Sequence, residues 1–109
     1  MKLQPTGALR RRLTLETPVR SGDEAAAAAQ TWSSLGGVWA AVMPRTLSEI
    51  VTADGQAARV SHEIEIRWRG DITAAMRFRD GATIYAIHGV HERDAHRRRL
   101  VCLAEELAP

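Results

Sequence analysis

The side chains best suited to acid–base or metal chemistry are His62, His88, His91 and His96, the single cysteine Cys102, and the carboxylate pairs Glu63/Glu65 and Glu105/Glu106. His88-x-x-His91 has the spacing of half a metal site. If Ile84 to Val90 is a strand, however, residues three apart project from opposite faces. Zinc needs three or four converging ligands, and Cys102 is the only thiol on offer. Surface or turn histidines are therefore expected, with no metal and no cofactor. Glu63 and Glu65 share one strand face, but Arg67 and Arg69 continue it, which reads as a solvated charge ladder before an acid/base pair. There is no G-x-S-x-G elbow, no G-x-x-x-x-G-K phosphate loop and no second cysteine. Glu105-Glu106 fall at a frayed C-terminus. No catalytic residue is assigned, and the chain reads as a non-enzyme.

Trp32, Trp39 and Trp68 are candidates for stacking on nucleic-acid bases. Trp39 and Trp68 lie among alternating apolar positions, where core packing is the better expectation. Trp32 sits between a polar stretch and Gly36-Gly37, placed to anchor a loop or a neighbouring subunit. Fourteen of the fifteen basic residues are arginine, yet the net charge is only +2, so total charge does not describe a strongly basic nucleic-acid binder. The arginines cluster: Arg10-Arg11-Arg12 opens the fold and Arg97-Arg98-Arg99 closes it. Their planar forks suit carboxylate or phosphate, hence acidic neighbours or DNA.

Strands must position these groups. Val60, His62, Ile64, Ile66 and Trp68 alternate with Ser61, Glu63, Glu65, Arg67 and Arg69, a period of two with one apolar and one charged face. Arg12 to Glu16 alternates more briefly before Pro18. Val38 to Met43 is apolar on both faces and stops at Pro44, as a central strand would. Met76–Arg79 and Thr83–Ile87 flank Asp80-Gly81, a pair suited to a tight turn with positive φ. Arg97 to Ala104 supplies the last strand. Six strands with short connections and no β–α alternation predict one domain over 1–109, a mostly β, antiparallel barrel or sandwich. Gly22 to Gln30, with its five alanines, predicts one or two helical turns. Residues 44–59 form a long loop, and Leu47–Val51 within it admits a short helical turn; loops of that length are usually functional. The N-terminus lacks the apolar core of a secretory signal, no stretch reads as a membrane span, and a lone cysteine fits a reducing cytoplasm, buried on a strand.

In order, these pieces resemble the phage head-tail joining family, the head closure or stopper proteins of long-tailed phages and gene transfer agents. The similarity begins at Gly7-Ala8-Leu9-Arg10-Arg11-Arg12-Leu13-Thr14-Leu15 and continues at Gln30-Thr31-Trp32. Its most distinctive segment is Val38-Trp39-Ala40-Ala41-Val42-Met43-Pro44, and Glu49 has a counterpart in the stretch that follows. Ser61 to Arg69, Asp71-Ile72-Thr73-Ala74-Ala75-Met76-Arg77, Asp80-Gly81 to Ile87, and Arg97-Arg98-Arg99-Leu100 complete it, so roughly residues 7–106 are covered. The chain departs from the family pattern at Ala25–Ala29, Ala75 and Asp94-Ala95.

The resemblance implies a small β-barrel whose long loop reaches toward a central channel. It further implies a homo-oligomeric ring, six- or twelve-fold, between the portal or its adaptor and the tail terminator or tail tube, enclosing packaged DNA, made in the bacterial cytoplasm and carried into the particle. Expected ring or channel contacts are Arg45, Glu49, Asp54 and Arg59 on the loop and Glu63, Glu65, Arg67 and Arg69 on the strand. The expected core is Trp39, Ile64, Ile66 and Trp68. The alternative is a small β-barrel nucleic-acid-binding module using the arginine triplets and an exposed tryptophan.

Overall fold

The alternating stretch after Val60 becomes the middle of a barrel wall. The computed structural model describes residues 9–19, 30–93 and 95–107. In chain order the strands are β1 (Arg11–Pro18), β2 (Trp32–Val51), β3 (Ala57–Arg67), β4 (Arg77–Asp80), β5 (Thr83–Glu92) and β6 (Arg99–Leu107). Each pairs antiparallel with its neighbours in the order β1-β2-β3-β6-β5-β4, and β1 meets β4 through Thr14↔Arg79, Leu15↔Phe78 and Glu16↔Arg77 to close the barrel. The expected six-stranded antiparallel body is therefore present. Closure pairs every strand of the wall on both sides over part of its length, which limits the edge open to indiscriminate strand addition.

Inward positions fill the interior. Leu13 and Leu15 from β1, Ile64 and Ile66 from β3, Phe78, Tyr85 and Ile87 from β4 and β5, and Leu100, Cys102 and Ala104 from β6 form one buried cluster with Ala40. Cys102 is a packed hydrophobe there, and burial pushes its thiol up to about 12. Gly81 takes φ 60° in the β4–β5 turn, where Asp80 faces Thr83, as the Asp-Gly pair predicts.

The connection after the second strand differs from expectation. β2 runs 20 residues, through Gly36-Gly37 and past Pro44, to Val51. The segment 44–59 is therefore no loop, and Leu47–Val51 is strand in place of a helical turn. Pro44 lacks an N–H and cannot donate to the ladder, and the register shifts between Pro44 and Ser48. Pairing then resumes at Ser48↔Val60, Glu49↔Arg59, Ile50↔Ala58 and Val51↔Ala57. β2 and β3 thus continue beyond the barrel as a two-stranded arm, turned at Thr52–Gln56, and contribute to a long axis of 47 Å against 29 and 28 Å across. The last strand also runs later than predicted, to Leu107, so Glu105 and Glu106 belong to β6. The alanine-rich helix of 22–30 lies, but for Gln30, outside the described residues. No helix of the described residues is long and apolar enough to cross a membrane.

Candidate functional site

The arm has two unlike faces, set by strand alternation. Ser48, Ile50, Ala58 and Val60 turn inward and are partly or fully buried. Ile50 and Ala58 overhang a cleft that Ile72, Gly89, Val90 and Leu103 also line. Leu47, Glu49, Val51, Ala57 and Arg59 turn outward and are exposed, Val51 by 76%, although Val51 and Ala57, next to the bend, also border the mouth of the cleft. Glu49 and Arg59 stand opposite each other without forming an ion pair. Asp54 at the tip accepts a hydrogen bond from the Thr52 hydroxyl, which holds its carboxyl below the usual carboxylate range and fixes the turn.

At the base of the arm, charge is arranged in depth. Arg45 Nη1 donates to Glu63 Oε2 at 2.8 Å, and Arg93 Nη2 lies 3.6 Å from the other Glu63 oxygen. Glu65 is fully buried, with Arg93 Nη2 3.1 Å from one carboxylate oxygen and Arg99 Nε 3.6 Å from the other. The segment after β5 is folded over this position by the Arg93 amide, which donates to the Arg99 carbonyl at 3.1 Å. Glu65 is therefore no contact for another subunit; it is a buried anion compensated by two arginines. Of the expected strand-face contacts, Arg67 is exposed, Arg69 is paired with Asp71 in a two-bonded fork at 2.7 and 2.8 Å, and Glu63 is partly covered. The fork lowers the Asp71 carboxyl and raises Arg69.

Trp39 is the second correction. It is 51% exposed, and its neighbour Ala40 points into the core instead. One of two consecutive strand residues must face out, and the interior at this level is already filled by Ile64 and Ile66. The Arg12 guanidinium lies 5.2 Å from the Trp39 ring centre, on the same row because Arg12 pairs with Trp39. Gly37 lets it lie there, since a Cβ at that position would collide with the Arg12 side chain. Leu9, Arg10 and Arg67 complete a shallow depression beside the indole. Trp68, by contrast, packs partly buried against the core, donates from Nε1 to Glu92 at 3.1 Å and lies under Arg97. Trp32 is stacked by Arg77, 4.0 Å from its centre. Arg77 and Arg79 donate to the two oxygens of Glu16 at 2.7 and 2.9 Å.

His88 and His91 both line the cleft under the arm. His88 Nε2 is 3.0 Å from Glu105, whereas His91 is exposed on the far side of a register shift between Ile87 and Gly89. Among the described residues no cluster of His, Cys, Asp or Glu could hold a metal ion.

The described residues thus form a closed barrel with a projecting hairpin. The sequence matches the model of the phage head completion protein family over residues 5–107. The chain belongs to that family. A chain of the virion of a native gene transfer agent particle superposes on this chain with a TM-score of 0.64 at 35% identity, covering 90% of this chain and 94% of that one. Protein SF1141 of Shigella flexneri 2a superposes with a TM-score of 0.66 at 28% identity, covering 94% and 96%. No curated protein matches the sequence. What sequence reasoning missed is the burial of Glu65 and the exposure of Trp39. The first had a signal in the arginines: Arg99 lies near it through the β3–β6 pairing, and Arg93 through its amide bond to the Arg99 carbonyl.

Proposed function

We propose that the chain is a structural subunit of a ring that closes the DNA-filled head of a phage-like particle and offers the surface to which the tail attaches. Family membership supports the head-completion role, and the arm is the observation that carries the rest. The β2–β3 arm projects from the closed barrel and carries exposed side chains to where another copy can reach them. A cyclic ring needs two different, complementary patches per subunit. Exposed charges such as Arg67 and Glu49 supply contacts worth roughly 0–1 kcal/mol each, which a ring repeats many times. Six- and twelve-fold rings fit equally. The partners in this reading are other copies, the portal or its adaptor, the tail terminator or tube, and packaged DNA in the channel. The protein assembles in the bacterial cytoplasm, works in the particle, and uses no cofactor.

Particles made without this protein should have packaged heads that leak DNA and carry no tails, seen by electron microscopy and nuclease sensitivity. Normal tailed particles would overturn the proposal.

One observation favours a second reading as a nucleic-acid-binding module: an exposed Trp39 flanked by Arg12 and Arg67. It requires the isolated protein to bind DNA with an affinity that falls steeply with salt.

A further inference from the structure

The polar groups left over after folding are few. Ten carboxylates fall among the described residues, and nine have a hydrogen bond or ion pair within the chain: Glu16, Asp54, Glu63, Glu65, Asp71, Asp80, Glu92, Glu105 and Glu106. Glu49 alone has neither. It lies on the outer face of the arm between two exposed apolar side chains, Leu47 and Val51. On the barrel body, Arg12 and Arg67 have no carboxylate partner, and they flank the most exposed aromatic ring of the described residues, Trp39. The two surfaces are complementary in kind. One offers apolar side chains around an anion that makes no ion pair with Arg59 across the strand pair, the other an aromatic floor between two cations that have no carboxylate.

We infer that the outer face of the arm of one subunit seats on the Trp39 depression of the next, with Leu47 and Val51 against the indole and Glu49 between Arg12 and Arg67. The inference rests on the ring reading and names the two surfaces that make the ring. Because they differ, each subunit gives an arm and receives one, and the contact propagates head to tail until it closes. Neither surface can satisfy the other within one chain, since the arm's inner face is already folded over the cleft at Gly89 and Leu103. The contact is also small against the roughly 800 Å² per partner of a stable complex. It is weak for two isolated subunits and holds where every subunit makes it twice.

The test places a photo-cross-linking amino acid at Val51 in the full chain incorporated into assembled particles. Irradiation should give covalent multimers of this chain, with adducts mapping to the segments that carry Trp39 and Arg67. Adducts between copies that map elsewhere would overturn this seating and leave the ring standing. Adducts only to other virion proteins or to DNA would overturn both. A charge exchange gives an independent readout. Glu49→Arg or Arg67→Glu alone should lower the yield of tailed particles by roughly an order of magnitude, as like charges at an interface do, while leaving the monomer's unfolding midpoint unchanged. The double variant should recover most of that loss, and failure to recover it would overturn the pairing of Glu49 with Arg67.

Discussion

Glu65 and Arg93 meet 3.1 Å apart beneath the outer side of the barrel wall, where the carboxylate has no exposed surface. The strand that carries Glu65 presents it outward, yet Arg99 from β6 and Arg93 from the segment after β5 close over it. A charge in that position is tolerated only while its partners stay.

Glu65→Ala should cost about 3–5 kcal/mol, because it removes the buried carboxylate that faces Arg93 and Arg99. Urea unfolding of the purified chain measures this directly. A change under about 1 kcal/mol, the range of ordinary surface substitutions, would show that the pair is not buried in solution.

Glu16 should make the fold acid-sensitive. Burial alone would raise its carboxyl, but hydrogen bonds from Arg77 and Arg79 outweigh that and hold it below the ordinary 4.5. A folded value lower than the unfolded one means the stabilisation is complete above the ordinary value and is lost as pH falls through the folded one. The slope of stability against pH below about pH 5 should therefore be shallower in Glu16→Gln than in the wild type. Parallel slopes would contradict the assignment.

Cys102 should be inert while the protein is folded. Its thiol is buried and pushed from 9.0 up to about 12 by desolvation, so the thiolate that would attack a disulfide reagent is scarce. Here the folded value lies above the unfolded one, so the contribution to stability is complete below 9.0 and declines as pH rises toward 12. An aromatic disulfide reagent at neutral pH should label the thiol only at the rate of global unfolding; rapid labelling would mean an open wall.

Phe78 and Trp39 should separate folding from assembly. Phe78 is fully buried, and Phe78→Ala should destabilise the barrel by about 3–5 kcal/mol. Trp39→Ala removes a ring that is half in solvent, and its effect on unfolding should stay within about 1 kcal/mol. Particle assembly should nonetheless fall with Trp39→Ala. Equal destabilisation by the two substitutions would return Trp39 to the core.

The sequence was most legible where one rule acted alone. The alternation from Val60 to Arg67 specified β3, and Asp80-Gly81 specified its turn, because each depends only on local backbone geometry. It was least legible where two rules competed. Val38 to Met43 is apolar at every position, so alternation could not say whether Trp39 or Ala40 faces inward; the volume already taken by Ile64 and Ile66 decides it. Glu65 obeys the alternation and is outward-facing, but whether an outward face is wet depends on what packs over it, and Arg93 and Arg99 are distant in sequence. Pro44 reads as a strand end by its missing donor, yet the irregularity it causes is absorbed between Pro44 and Ser48 and the strand goes on. Of the expected contact residues, those on the arm proved exposed, whereas those of β3 divided between solvent and a buried ion cluster.

The continuity of β2 and β3 from barrel into hairpin has a consequence for how such a spacer can diversify. Residues inserted in matched pairs at the Thr52–Gln56 bend would lengthen the finger without touching a single core position. Each added residue per strand carries the tip outward by roughly 3.3 Å and turns its outer side chains to the inner side, so only even increments of about 7 Å keep the same surface presented. Reach is therefore adjustable in discrete steps, and a chain of fixed girth can be matched to apertures of different width.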